Sequence, residues 1–212
     1  MHQVIRLLSK VADRYAPSRM LSFDLVHVFK TMQLMKDGQR ISRSLLVKDL
    51  GLGEGSVKTL VKHMKMSGLV ENSKGGMWLT SKGKTVYAKL HDVIPNESEI
   101  SKCSIALGKF NHAVLVKNLA YVIRSGIEQR DEAIKAGAIG ATTLIFRNGR
   151  LLMPGSREDL LRNDPKIHSL ILQQFKPEDN DVIIIGSSQD KKIAEMAAKS
   201  AALHTISDHE KH

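Results

Sequence analysis

Gly55-Ser56-Val57-Lys58-Thr59-Leu60-Val61-Lys62-His63-Met64-Lys65-Met66-Ser67-Gly68 decides how the first half of the chain is read. Val57, Leu60, Val61 and Met64 fall at i, i+3, i+4 and i+7, the spacing that lays four side chains on one face of a helix. Ser56, Lys58, Thr59, Lys62, His63 and Lys65 are then expected on the outer face. Short and basic donors near a helix N-terminus are what a helix-turn-helix presents to the major groove, where they reach base edges and phosphates. Outward lysines on an amphipathic helix are also what any solvated surface shows. The flanking segments therefore carry the weight.

Upstream, Ser42 or Ser44 starts a helix through Leu45, Leu46, Val47 and Leu50, and Gly51-Leu52-Gly53 breaks it, so Gly51–Glu54 supply the turn. Before it, Leu25, Val28, Phe29, Met32 and Met35 form the stripe of a helix capped by Ser22 or Asp24 and ended by Asp37-Gly38. Val4, Leu8, Val11 and Tyr15 mark a first helix over residues 3–15 that stops at Ala16-Pro17. Downstream of Gly68 the period changes. Leu69-Val70-Glu71-Asn72 and Met77-Trp78-Leu79-Thr80 read as two extended runs around Ser73-Lys74-Gly75-Gly76, a hairpin with Lys74 at its tip. Its glycines allow close approach to a sugar-phosphate strand, the role of a wing. Thr80 or Ser81 then precedes a closing helix with Val86, Leu90 and Val93 inside.

Charge follows the same division. The 212 residues carry a net charge of +10; residues 1–94 hold 16 Lys or Arg against 7 Asp or Glu, whereas residues 95–212 hold 16 against 15. Residues 40–91 alone hold ten basic and three acidic side chains. Lysines and arginines gain affinity for a polyanion by releasing its condensed counterions. Double-stranded DNA is the expected partner. Arg40, Arg43, Ser44, Ser56, Lys58, Thr59, Lys62, His63, Lys65, Lys74 and Gly75 are the expected contacts. Ser56, Thr59 and His63 are expected to influence which sequence is read, and Lys62, Lys65 and Lys74 to set overall affinity.

Hydrophobic residues at 42% and charged residues at 25% are the balance of an ordinary soluble globular protein. The run Asp181–Gly186 is far short of the roughly 18 apolar residues of a membrane span, and no leader opens the sequence, so a cytoplasmic protein without membrane contact is expected. The single cysteine, Cys103, excludes an intramolecular disulfide and a cysteine-clustered zinc site and reads as a packing residue. Histidines are scattered, with His209 and His212 in a charged tail. No nucleophile elbow, phosphate loop or paired-histidine motif is present, so no enzyme, metal or cofactor is expected.

Polar Pro95-Asn96-Glu97-Ser98-Glu99 is the expected boundary between a DNA-binding domain at 1–94 and a second domain at 95–212. The latter reads as strands at Ser104–Leu107, Ala113–Leu119, Thr142–Phe146, Arg150–Met153 and Val182–Ile185. Helices are expected at about Ile127–Lys135, Arg157–Phe175 with a break near Pro165, and Asp190–Ala201. The whole chain is thus α+β. Two clusters in this half are candidate effector sites: Arg124, Glu128, Arg130 and Asp131 at a strand-to-helix junction, and Ser187 and Ser188 where a buried-type strand meets helix N–H groups that suit an anion. Each has a plainer alternative, in which the acids complement the helix dipole beside surface arginine pairs and Ser188 caps its helix.

Leu50–Leu60, Met66–Val70 and Trp78–Lys84 resemble the winged-helix half of a family of uncharacterised archaeal proteins. In that family the second half is similar to the GAD domain inserted in some bacterial aspartyl-tRNA synthetases and amidotransferase subunits, and here Val114–Val116, Gly126–Gly137 and Ala141–Gly149 carry the likeness. The resemblance covers nearly the whole chain and implies a transcription-regulator-like role with an α+β second domain. Where such motifs commonly carry arginine this chain has Lys58, which lacks the planar fork that reads guanine bidentately. Two other readings stay open: an RNA- or translation-linked binding protein, against which 4% aromatic residues argue, and a small-molecule enzyme with a winged-helix appendage. A homodimer is expected on DNA, joined through an apolar seam of positions 4, 8, 11 and 15, with packing on their own domain as the alternative.

Overall fold

The structure, a computed structural model, describes residues 2–13, 21–156, 159–162 and 164–209. Tyr15, Ala16-Pro17, Arg157 and His212, used above, lie outside the described residues. The chain is α+β and divides into two compact units between Leu90 and His91.

The first unit contains α1 (His2–Ala12), α2 (Leu25–Leu34), α3 (Arg43–Leu50), α4 (Glu54–Met66), β1 (Val70–Ser73) and β2 (Gly76–Leu79), then α5 (Ser81–Val93), which ends past the division. Asp24 caps α2, its carboxylate accepting from Val26 N–H at 3.0 Å, and Ser42 caps α3, its hydroxyl accepting from Leu45 N–H at 3.1 Å. Val4, Leu8 and Val11 are buried where α1 packs on α2 and α4. That overturns the seam between copies: these side chains belong to the core of their own unit.

In the hairpin Val70 pairs with Leu79 and Ser73 with Gly76, leaving Lys74-Gly75 as the loop. Ile41 adds a rung that sequence reading missed, exchanging hydrogen bonds of 3.0 and 2.9 Å with Met77. Thr80, rather than Ser81, caps α5: its hydroxyl accepts from Gly83 N–H at 3.0 Å and donates to Gly68 O at 2.6 Å. A Cβ on Gly83 would stand 2.1 Å from Leu69 O, so only glycine lets α5 lie against the chain entering β1.

The second unit is a five-stranded antiparallel sheet in the order β3 (Glu97–Ile100), β4 (Phe110–Val116), β7 (Val182–Ser188), β5 (Gly140–Arg147), β6 (Arg150–Leu152). α6 (Ile127–Lys135) and α8 (Lys191–His209) pack on each other and on the sheet. The cluster Ala113, Leu115, Leu144, Leu151, Ile183 and Ile185 packs with Ile171 and Phe175 of α7 (Pro165–Phe175).

Three expectations fail here. Ser104–Leu107 forms no ladder strand: Cys103 and Ala106 bond each other at 3.1 and 3.2 Å, closing a turn. The edge strand is instead Glu97–Ile100, which begins within the polar segment Pro95–Glu99 expected as the domain boundary. The helix expected from Arg157 is α7, which starts at Pro165, with Asp164 accepting from Ile167 N–H at 3.3 Å, so the proline opens this helix and does not break it.

All seven residues of β7 are buried. A Cβ on Gly186 would come within 2.6 Å of Ala194 O and 2.8 Å of Ala198 N, and Ala194, Ala197, Ala198, Ala201 and Ala202 form the buried side of α8. Small side chains on the helix and none on the strand let the two backbones touch. Beside this contact Lys199, 2% exposed, is held by Glu97 at 2.9 Å and Glu195 at 2.5 Å, and His112 lies 3.9 Å from Glu97. Burial pushes the His112 imidazole below its ordinary 6.5, although Glu97 opposes that shift.

Replacing Gly186 by alanine is expected to destabilise the second unit by about 1–3 kcal/mol through forced separation of α8 from β7. Native-state hydrogen exchange of β4 and β7 amides checks this, since faster exchange there is required. The same amides report on His112. Because its native pKa is depressed, its neutral form suits the fold, so stability holds above about pH 6.5 and is lost as pH falls from there through the native value. The loss of protection between about pH 7 and pH 5.5 should shrink in His112→Asn; an unchanged loss would show that His112 does not set it.

Candidate nucleic-acid interface

α3 and α4 meet through Leu46 and Leu50 on one side and Val57, Leu60, Val61 and Met64 on the other, all buried. Gly51, at φ +68°, ends α3 in the left-handed conformation, and Gly53 takes the cap position of α4. The reversal therefore uses Gly51–Gly53, and Glu54 already belongs to the first turn of α4, where its charge suits the helix dipole.

Two neighbouring grooves run along the outer side of α4. One is lined by Arg43, Ser44, Val47, Glu54, Gly55, Val57 and Lys58. The other is lined by Arg43, Lys58, Val61, Lys62, Lys65, Met66 and Asn72. They share Arg43 and Lys58, so α3, α4 and β1 frame one basic trough.

Of the residues named from sequence, Arg43, Ser44, Lys58, Lys62 and Lys65 are brought together on this trough, and all are exposed. Ser56 and Thr59 are half-buried; the Thr59 hydroxyl donates to Gly55 O at 3.0 Å and is turned along its own helix. Lys74 and Gly75 form the exposed hairpin loop. Arg40 lies with its guanidinium 4.5 Å from the centre of the Trp78 ring, and its Nη1 is 3.2 Å from the Cβ position of Gly75. The indole therefore holds a cation against the hairpin.

His63 does not face outward. It is buried, its Nδ1–H donates to Val11 O at 2.9 Å, and Phe23 meets the ring edge-on at 5.6 Å. Position 63 is three residues after Leu60, at the border of the apolar stripe, and α1 covers that border. The histidine ties α4 to α1.

Met66, 60% exposed, and Asn72 complete the trough and were not named from the sequence. The signal for Met66 was an apolar residue in a basic run just past the buried stripe. The placement of Asn72 depends on how the hairpin folds beside α4, which the local pattern does not carry.

In the second unit, Arg124, Arg130 and Asp131 are exposed, and the Ser125 hydroxyl donates to Glu128 at 3.3 Å beside Gly126, the cap residue of α6. Ser187 and Ser188 are buried. The Ser187 hydroxyl donates to Asn111 Oδ1 at 2.7 Å. At the start of α8 the Asp190 carboxylate accepts from Lys192 N–H at 2.8 Å and Ile193 N–H at 3.1 Å. The anion-binding reading fails there because a side-chain carboxylate already occupies the position, and the cap is Asp190 and not Ser188. Among the described residues no three His, Cys, Asp or Glu side chains converge as metal ligands, and no helix is long and apolar enough to cross a membrane.

No curated protein matches this chain. Among solved structures, the hypothetical protein PH0730 from Pyrococcus horikoshii OT3 is similar, with 28% sequence identity and a TM-score of 0.67 over 90% of this chain and 94% of that one. Residues 107–206 match the model of a domain of unknown function, DUF4443, and residues 25–94 match that of the CggR N-terminal DNA binding domain. The second match begins at the first residue of α2 and takes in the whole trough and the hairpin, so the first half of the chain carries a DNA-binding domain.

Proposed function

We propose that this protein is a transcription regulator that reads duplex DNA with α4 in the major groove and the β1–β2 hairpin as a wing on the backbone. The observation that carries the reading is the basic trough of Arg43, Lys58, Lys62 and Lys65 within a segment similar to a known DNA-binding domain. Ser44 and the lysines hold phosphates, which positions α4 without selecting sequence. Ser56 at the start of α4 approaches base edges with its hydroxyl and Thr59 with its methyl group, its own hydroxyl being bonded to Gly55 O, and Met66 offers an apolar surface to a thymine methyl group. Lys74 in the hairpin loop and Arg40, held on the Trp78 ring, contact the backbone. Trp78 is the chain's single tryptophan, and Arg40 already covers its ring, which disfavours base stacking and hence the RNA-binding alternative. The protein acts as a homodimer on half-sites about one helical turn apart, since one recognition helix offers few base contacts. The second unit, GAD-like in sequence, brings the copies together or senses a small molecule through the Arg124–Asp131 junction.

Affinity for duplex DNA should fall steeply with salt, with a log–log slope of about −0.9 per phosphate contact. Lys62→Ala and Lys65→Ala should each make that slope shallower by about one unit and weaken all duplexes alike, whereas Ser56→Ala should reorder sequence preference. Salt-insensitive binding, or lysine variants indistinguishable from the parent, would overturn the placement of α4. Trp78 is also a built-in reporter: its emission should change on titration with duplex and stay constant with free nucleotides. Unchanged emission at saturation would remove the hairpin from the interface.

A further inference from the structure

α6 lies against β5 and α8, with Gln129 and Ala133 turned inward. At about 100° per residue the side diametrically opposite is centred on Asp131, and about 50° from that centre, toward Arg130, lie Ile127 and Ile134, seven residues apart and nearly in line. Both are exposed, at 57% and 43%. One outward isoleucine needs no explanation, but two in line leave an apolar stripe in water. Met153, 44% exposed, belongs to the loop whose Pro154 Cγ is 3.5 Å from the Cβ position of Gly126, so this loop borders the N-terminal end of α6.

The charges beside the stripe identify its occupant. Arg130 stands about 60° to one side of Ile127 and Asp131 about 40° to the other, and both are exposed. Glu132 is engaged by Lys135 at 2.6 Å and His204 at 3.7 Å, whereas among the described residues neither Arg130 nor Asp131 has an ion-pair partner within 4 Å. A two-fold axis parallel to the stripe brings the positive side of one copy onto the negative side of the other. Arg130 of each copy then faces Asp131 of its mate on both flanks, with Ile127 against Ile127 and Ile134 against Ile134. An antiparallel pairing sets Arg130 against Arg130 and is disfavoured.

We infer that the outer face of α6 is the surface through which two copies of this chain pair in parallel, with isoleucines in the seam and Arg130–Asp131 pairs along its edges. This rests on the proposal above that the regulator acts as a dimer, and it places that contact in the second unit, because the apolar side chains of α1 are used within their own core. The seam has two isoleucine layers and is short, so association depends on concentration and strengthens when both copies occupy adjacent half-sites.

Sedimentation velocity of the full-length chain without DNA, from about 1 to 100 µM, tests the pairing independently of DNA reading. The parent protein should self-associate over this range. R130D and D131R, which place like charges opposite each other, should each raise the dissociation constant on the order of a hundredfold. An equimolar mixture of the two variants should associate again, because each then supplies the charges the other lacks. I134E should abolish pairing, with circular dichroism confirming that each variant keeps its fold. A parent protein that stays monomeric throughout, variants that associate as the parent does, or a mixture that remains monomeric would each overturn the inference. Duplex binding by the parent, measured separately, shows whether the DNA reading stands on its own.

Discussion

Burial of Val57, Leu60, Val61 and Met64 fixes the rotation of α4 about its own axis, and what the helix presents to solvent follows from it. With those four side chains inside, Lys58, Lys62 and Lys65 have nowhere to go but outward, toward α3 on one side and β1 on the other. His63 locks the same rotation from the flank: its ring is held by a main-chain carbonyl of α1, so turning α4 would break a buried hydrogen bond as well as expose apolar surface. The basic trough is thus a by-product of core packing, and its geometry is as rigid as the core.

The second unit depends on an equivalent contact of the opposite character. Where α4 is positioned by large side chains interlocking, α8 is positioned by their absence, alanines on the helix meeting Gly186 on the strand. Close approach maximises dispersion contacts between backbones but leaves little tolerance for added volume. Lys199 inserts where β3, β4 and α8 converge and is neutralised by one carboxylate from β3 and one from α8. A buried cation with two acids is expensive to desolvate, so the arrangement specifies which strand lies next to α8 more than it adds stability.

How much of this was legible in the sequence follows from which forces act locally. Helices whose apolar period and capping side chain both lie within one segment, α2, α3 and α5 with Asp24, Ser42 and Thr80, could be read locally. The hairpin was legible because a glycine turn separates its two runs. β3 was not, because an edge strand whose glutamates pair with lysines of α8 shows no apolar alternation. Ser104–Leu107 showed that alternation yet folds into a turn, its Ile105 and Ala106 buried by the surrounding chain without any strand partner. His63 and the pairing of Ile41 with Met77 are decided by residues tens of positions away, beyond any window of local pattern.

The margins of the five-stranded sheet carry a consequence for solubility. A bare strand edge offers unpaired N–H and C=O groups to any other extended chain and is a common route to fibrous aggregation. Here one margin is β3, four residues long and carrying Glu97 and Glu99, and the other is β6, three residues long and opening on Arg150. A strand added beyond β3 would run beside two carboxylates, which Lys199 and Lys191 of α8 already engage. Short, charged margins disfavour growth of the sheet in its own plane, and the hydrophobic β7 is kept in the middle, between β4 and β5.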